Sequence, residues 1–406
     1  MKRISGNQYI KATENKVYLD KVPIEILRKK CKTPILVFLE NKIKKNLKTF
    51  KEVFKSVFPS FEGFYSFKAN YLPQICNIIN SKGIGAEVIS LLELKLALKT
   101  GFPPDKIIVG GPYLSKDLIK LSLQNKVREI IIYNINDIER VNTVARKLNV
   151  TQRLCLRVNS QKYNSRLGIT LDDNKLSLLK VINEQSRNIK ITTILSHYTS
   201  QMNSLEQYRN NLNSIIDNFN ALNNYGFKIR NINLGGGFPE ATVMPPHRLR
   251  KIAEIIKEEL WKANIHPKHI FLEPGRYFVG DSGVFITKII NVKEDRWIVL
   301  NIGNHICPKF ARCSLRFYNA SRINDPHKHK TSIAGIVPTD QDVLAKNYFF
   351  TKELNRNEIV MVTNVGAYTL TFSTRFPYAL PHMFLIRDDK IVNMFDPAIN
   401  KDFSLN

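Results

Sequence analysis

Between about residue 60 and residue 275, eight apolar runs of strand length alternate with longer helical stretches. The strand-like runs fall at 61–67, 85–89, 107–109, 129–133, 153–158, 192–196, 231–234 and 270–272. Helical patterns between them include 90–100, 136–148, 204–223 and 247–263. Ser90-Leu91-Leu92-Glu93 has capping-box spacing and marks the start of the first of these. Eight strand–helix alternations over roughly 200–250 residues predict an α/β fold of the (β/α)8 barrel type. A doubly wound sheet is the alternative, but no GxGxxG follows a first strand to support a nucleotide fold.

After about residue 280 the texture changes. Runs at 284–292, 297–302, 333–337, 359–362 and 383–386 read as strands without long helices between them, which predicts an all-β domain. Residues 1–35 hold short strand-like pieces that could join it. The expected organisation is therefore a barrel at 36–278, inserted between the two halves, 1–35 and 279–406, of a β domain.

The formal charge of +26 raises the question of nucleic acid. The basic residues are, however, spread along the chain. The densest runs, Lys42-Ile43-Lys44-Lys45, Arg248-Leu249-Arg250-Lys251 and His327-Lys328-His329-Lys330, carry no aromatic stacking platform, and the richness in Lys, Asn and Ile also fits nucleotide bias. No nucleic-acid partner is expected; attraction of an anionic small substrate fits the charge better. No apolar run reaches the roughly 18–20 residues of a membrane span, and no apolar core follows the basic start Met1-Lys2-Arg3. Cys31, Cys76, Cys155, Cys307 and Cys313 lack CxxC spacing, and Cys307 with Cys313 would need other ligands nearby to hold zinc. No metal is expected, and a reduced, cytoplasmic protein fits best.

In a barrel, chemistry gathers at the C-terminal ends of the strands. Lys68 follows the aromatic run Phe64-Tyr65-Ser66-Phe67 at the end of the first expected strand. An amine desolvated there would be available to condense with an aldehyde, although a lysine at a strand end can also simply snorkel to water. Glu87 stands near the end of the second strand, Arg157 and Asn159 at the end of the fifth, and His197 at the end of the sixth. Gly235-Gly236-Gly237 follows the seventh strand and can bring successive N–H groups to an anion, or form a tight turn. Glu273-Pro274-Gly275-Arg276 follows the eighth. Its carboxylate can stabilise a protonated pyridine ring, or belong to a surface turn. His197 can stack on a planar cofactor or be hydrogen-bonded in the core, and Ser200 can donate its hydroxyl to a phosphate.

These segments, with Leu156-Arg157-Val158-Asn159, Ser196-His197-Tyr198-Thr199-Ser200-Gln201, Asn233-Leu234-Gly235-Gly236-Gly237-Phe238-Pro239 and Gly366-Ala367-Tyr368-Thr369, occur in an order that resembles the fold type III pyridoxal-phosphate decarboxylases. This is the group of ornithine and diaminopimelate decarboxylases, related in its barrel to alanine racemase. The resemblance implies pyridoxal 5′-phosphate as cofactor and roles by position. Lys68 would be the lysine bonded to the cofactor, Glu273 the partner of the pyridine nitrogen, and His197 the ring-stacking residue. Ser200, Gly235, Gly236, Gly237, Gly275, Arg276 and Tyr368 would surround the phosphate, with Glu87 and Arg157 beside the cofactor. It also implies a homodimer whose subunits share active sites, Tyr368 lying on the β domain.

One loop departs from the family. Where members usually read Gly-Pro-x-Cys-(Asp/Glu/Thr)-x-x-Asp, this chain reads Gly335-Ile336-Val337-Pro338-Thr339-Asp340-Gln341-Asp342. Pro338 replaces a cysteine that in the family helps protonate the substrate carbon, and Thr339 stands where the ornithine enzymes have the acid that holds a distal amino group. Asn301 also stands where many members have aspartate. Thr339 and Asp340 are the expected substrate contacts. Free ornithine or lysine becomes a weaker candidate than a substrate whose distal end is acylated or carboxylated. Members that build siderophores act on citrate-conjugated amino acids such as citryl-ornithine, and that subgroup is the favoured expectation. Decarboxylation of ornithine, lysine or diaminopimelate, racemisation, and an impaired regulator on the same scaffold are the alternatives.

Overall fold

The computed structural model describes residues 2–13, 16–159, 165–308 and 315–397. The chain divides into two compact units, one of residues 47–239 and 243–275, the other of residues 1–46, 240–242 and 276–406.

The first unit is a closed barrel of eight parallel strands. In chain order these are Phe61–Ser66, Gly85–Val88, Ile107–Val109, Glu129–Ile132, Gln152–Arg157, Ile189–Leu195, Asn231–Asn233 and His269–Leu272, the last pairing back onto the first. Every strand anticipated from the apolar runs is present. The strands are near-continuous apolar runs because helices cover one face and barrel filling the other. Phe64, Ile108, Ile131, Cys155, Leu195 and Phe271 pack together as one buried cluster, with Tyr133 against them.

Helix starts follow local chemistry. The Ser90 hydroxyl accepts from the Glu93 N–H, but the Glu93 carboxylate reaches past Ser90 to the Ile89 N–H at 2.8 Å, so the box is displaced by one residue. A complete capping box instead opens the helix Leu205–Asn224, where Ser204 and Gln207 satisfy each other's N–H groups.

The second unit is mostly sheet. A four-stranded antiparallel sheet is made from Lys2–Ile4, Asn7–Ala12, Val17–Leu19 and Val22–Pro23. A nine-stranded sheet runs, in spatial order, through Val343–Phe350, His329–Ala334, Trp297–Leu300, Gly283–Lys293, Ile35–Leu39, His382–Arg387 and Lys390–Phe395, with Ile359–Thr363 and Arg316–Asn319 off this path. Ile35, Val37 and Leu39 share a buried cluster with Ile10, Leu19, Val284, Ile286 and Met361, so the N-terminal segments and the C-terminal strands form one core. The strand expected at 333–337 is His329–Ala334. Gly335 leaves it because its backbone, like that of Gly303, closes against the Asp342 carboxylate with no room for a side chain.

Among the described residues no helix is long and apolar enough to cross a membrane, and no cluster of three metal-ligating side chains occurs. Cys31, Cys76 and Cys155 are free thiols, and Cys313 lies outside the described residues.

Candidate active site

Lys68 sits in a single 3-10 turn, Phe67–Ala69, directly after the first barrel strand. The Tyr65 hydroxyl donates to the Asn70 carbonyl at 2.8 Å and ties that turn down. The parallel register sets Ser66 opposite Glu87 on the second strand. Lys68 Nζ donates to Glu87 Oε2 and to Ser66 Oγ, each at 2.7 Å, and the Ser66 hydroxyl donates to the same Glu87 oxygen. Glu87 is buried, but the Lys68 side chain keeps 41% of its exposure. The expectation of a desolvated amine is corrected here. The barrel mouth is open at Lys68, and a buried carboxylate, not apolar burial, sets its surroundings.

Glu273 follows the last barrel strand. Its Oε1 accepts from Asn233 Nδ2 at 2.7 Å, and its N–H donates to the Gly235 carbonyl at 2.8 Å. Burial and then the nearby Glu87 charge push its carboxyl pKa upward, against the opposing pull of Lys68, Asn233 and Arg157. His197 is the neutral partner in this charged group. Burial first, then Arg157 and Lys68, lower its pKa to about 3. Its Nδ1 accepts the Gly236 N–H at 3.2 Å, which leaves the ring proton on Nε2.

Arg157 ends the fifth strand. Its guanidinium donates to the Tyr133 hydroxyl at 2.8 Å and lies 4.8 Å from that ring's centre. Burial raises the Tyr133 pKa, so the phenol keeps its proton. Tyr133 was not among the residues singled out in the sequence. It ends the strand run expected at 129–133, and that position at a barrel strand's C-terminus was the signal that could have found it.

The three glycines make a cradle that side chains would fill. Gly235 and Gly237 have φ of +65° and +88°, and a Cβ on Gly236 would lie 2.5 Å from the Glu273 carbonyl oxygen. The Gly235 N–H is taken by Asn233 Oδ1 and the Gly236 N–H by His197, whereas the N–H groups of Gly237 and Gly275 have no acceptor among the described residues. The Met202 N–H donates to the Gly237 carbonyl at 2.8 Å, which lays the segment carrying exposed Ser200 against the cradle. Gly275 packs on Ser66 and Ala69, on either side of the lysine turn.

Lys68, Glu87, Arg157, His197, Glu273 and the glycine cradle thus meet at the C-terminal mouth of the barrel. Arg276, Tyr368, Thr339 and Asp340 belong to the other unit. There Arg276 opens the helix Arg276–Val279, and its guanidinium lies 4.9 Å from the centre of the Tyr368 ring. Tyr368 has φ +63°. Thr339 and Asp340 are exposed at the tip of the loop 335–342. Its base is held by Asp342, 2% exposed, whose carboxylate accepts the Val337 and Asn304 N–H groups, each at 2.7 Å.

Residues 40–280 match the family described as "Pyridoxal-dependent decarboxylase, pyridoxal binding domain". Diaminopimelate decarboxylase of Aquifex aeolicus is 26% identical over 399 residues, covering 91% of this chain and 90% of that protein. The L-glutamyl-[BtrI acyl-carrier protein] decarboxylase of Niallia circulans is 26% identical over 388 residues, covering 87% of this chain and 88% of that protein. Among solved structures, diaminopimelate decarboxylase from M. jannaschii superimposes with a TM-score of 0.86 at 21% identity, covering 98% of each chain. Lysine decarboxylase from Selenomonas ruminantium does so with a TM-score of 0.75 at 22% identity, covering 90% of this chain and 96% of that one.

Proposed function

This chain belongs to the pyridoxal-dependent decarboxylases, and from that premise we propose that its substrate is an amino acid whose distal amine is acylated or citrate-conjugated, such as citryl-ornithine in siderophore biosynthesis. The chain is an amino-acid carboxy-lyase and its cofactor is pyridoxal 5′-phosphate. The barrel mouth fits that group on its own chemistry. It offers the Lys68 amine, the half-buried Glu273 carboxylate, a neutral imidazole, and a glycine cradle whose Gly237 and Gly275 N–H groups lack acceptors among the described residues. When bound, pyridoxal phosphate supplies the sink for the electron pair left as carbon dioxide departs.

The residues divide the remaining work. Lys68 would hold the aldehyde carbon, and Glu273, oriented by Asn233, would face the ring nitrogen. A uniformly neutral His197 would lie on the ring face without adding charge. Gly237, Gly275 and Ser200 would donate to the phosphate, with Arg276 and Tyr368 as further ligands. Glu87 and Ser66 orient the Lys68 amine, and the Glu87 carboxylate would accept a proton that it releases. Pro338 has no proton to give, so Lys68 is the group of this site assigned to return one to the substrate carbon. The working form would be a homodimer in the cytoplasm, with the 335–342 loop completing the site of the other subunit.

The observation that carries the substrate reading is the loop. Its anchor, Asp342, is buried and fully engaged, so the loop keeps its frame while Pro338 and Thr339 replace the thiol and the acid. A free distal ammonium thereby loses its expected carboxylate. A second reading, decarboxylation of free diaminopimelate, lysine or ornithine, is favoured by Asp340, whose exposed carboxylate sits one residue further on and could take over that contact.

The test is a substrate panel on the holoenzyme with mass spectrometry for loss of one carbon dioxide. The first reading expects citryl-ornithine to exceed ornithine, lysine and diaminopimelate at least tenfold in kcat/KM. Faster turnover of a free diamino acid, with activity lost in Asp340→Asn, would replace it with the second.

A further inference from the structure

At the opposite end of the barrel from Lys68, the N-terminal ends of five consecutive strands surround a cavity of about 620 Å³. Arg128, Arg153, Lys190, Lys228, Arg230 and Lys268 line it, and no carboxylate does. Arg128 is neutralised by a two-pronged contact with Glu62 (2.6 and 3.1 Å). The other five have no ion-pair partner among the described residues. Glu129, just beneath, offsets Arg128 and Arg153 only in part. Its carboxyl is buried against Thr193 and Asn231, and burial raises its pKa to about 7.

Five cations without a salt-bridge partner among the described residues line one concavity and repel each other, and their summed field favours an anion there. All five are solvent-exposed, and they line the same concavity with no acid among its lining residues. We propose that this cavity is a binding site for a compact oligophosphate, a ligand carrying three or more negative charges on adjacent phosphate groups. The ligand class follows from the lining. Arg153 and Arg230 offer planar forks that match phosphate oxygens two at a time, and the lysines add point charges around them. Thr151, Thr192 and Asn183 supply neutral donors on the same wall. A single phosphate or carboxylate would leave most of the positive charge unanswered, and a duplex or long strand would span the rim without entering a concavity of this size. The same chemistry could come from a nucleoside triphosphate or from inorganic polyphosphate. This site is independent of the barrel mouth and of the substrate reading.

The experiment titrates the cofactor-loaded protein with inorganic tripolyphosphate by calorimetry at fixed ionic strength, with sulfate and citrate as comparators. One saturable site per chain is expected, at least tenfold tighter than sulfate or citrate. Arg153→Glu and Arg230→Glu, both exposed positions, should each weaken it at least tenfold with near-ultraviolet circular dichroism unchanged. ATP binding at the same site more tightly than tripolyphosphate would identify the nucleotide as the source; equal binding would identify the phosphate chain alone. No saturable binding, no preference over citrate, or undiminished binding in both variants overturns the proposal.

Discussion

Lys68 Nζ donates to Glu87 Oε2 across 2.7 Å, and the register that places Ser66 beside Glu87 on adjacent parallel strands fixes that distance. The amine of the barrel mouth is therefore oriented by a neighbouring strand and not by its own loop. Ser66 contacts both partners and closes the arrangement into a three-membered network.

Replacing Lys68 with alanine should abolish the visible absorption band of bound cofactor and reduce carbon dioxide release by about 10³-fold or more, the scale of losing a nucleophile that also transfers protons. Spectrophotometry and a coupled carbon dioxide assay read both. A variant that kept the band would show that another group holds the cofactor.

Glu87→Gln should let Glu273 ionise at lower pH. Glu87 is the second largest contributor raising the Glu273 pKa, after burial, so removing its charge shifts the titration downward. Carbon-detected NMR of labelled glutamate carboxyls in the cofactor-free protein follows this directly. An unmoved Glu273 resonance would mean that burial alone sets it.

His197 should stay neutral across the working pH range. With a folded pKa of about 3 against an ordinary value near 6.5, the unfolded chain binds more protons between those limits. Stability is therefore full above about pH 6.5 and falls as pH drops toward 3. His197→Gln should flatten that acid limb, measured as Tm against pH, and wild-type His197 ring resonances should not titrate between pH 5 and 9.

Glu129 has the opposite sign. Its folded pKa of about 7 lies above the ordinary carboxylate value, so the stability of the protonated form is present below pH 4.5 and lost as pH rises through 7. Glu129→Gln keeps the bonds to Thr193 and Asn231 without the charge and should stabilise the protein by about 1–3 kcal/mol at pH 8, with little gain at pH 5. Chemical denaturation at the two pH values compares them.

Gly236→Ala should weaken cofactor binding by tenfold or more and lower stability by about 2 kcal/mol or more, because the added carbon meets the Glu273 carbonyl oxygen at 2.5 Å. Equilibrium dialysis of the cofactor and a melting curve separate the two effects. Wild-type affinity in the variant would show that the cradle relaxes freely.

Local sequence patterns carried much of the barrel. Runs such as Ile107–Val109 and Glu129–Ile132 are short, apolar and separated by helical periodicity, so their strand character needs no distant partner. The same holds for positions at strand ends, which is why Lys68, Glu87, Arg157, His197 and Glu273 were legible before any coordinates. The β unit was less so. Val343–Phe350 and Lys390–Phe395 carry Lys and Asn and are largely solvent-facing edge strands, and Arg316–Asn319 is only four residues long; each becomes a strand through its partner.

By itself, then, the order of residues determined the barrel and which side chains stand at its strand ends, because period and strand-end position are local properties; the cofactor class was legible only through the resemblance to the pyridoxal-phosphate decarboxylases. Only the tertiary structure decided that Lys68 is held by a buried carboxylate instead of being desolvated, that Tyr133 braces Arg157, and that five exposed cations line one concavity at the far end of the barrel. Those outcomes depend on strand register and closure, which bring together residues that lie far apart along the chain.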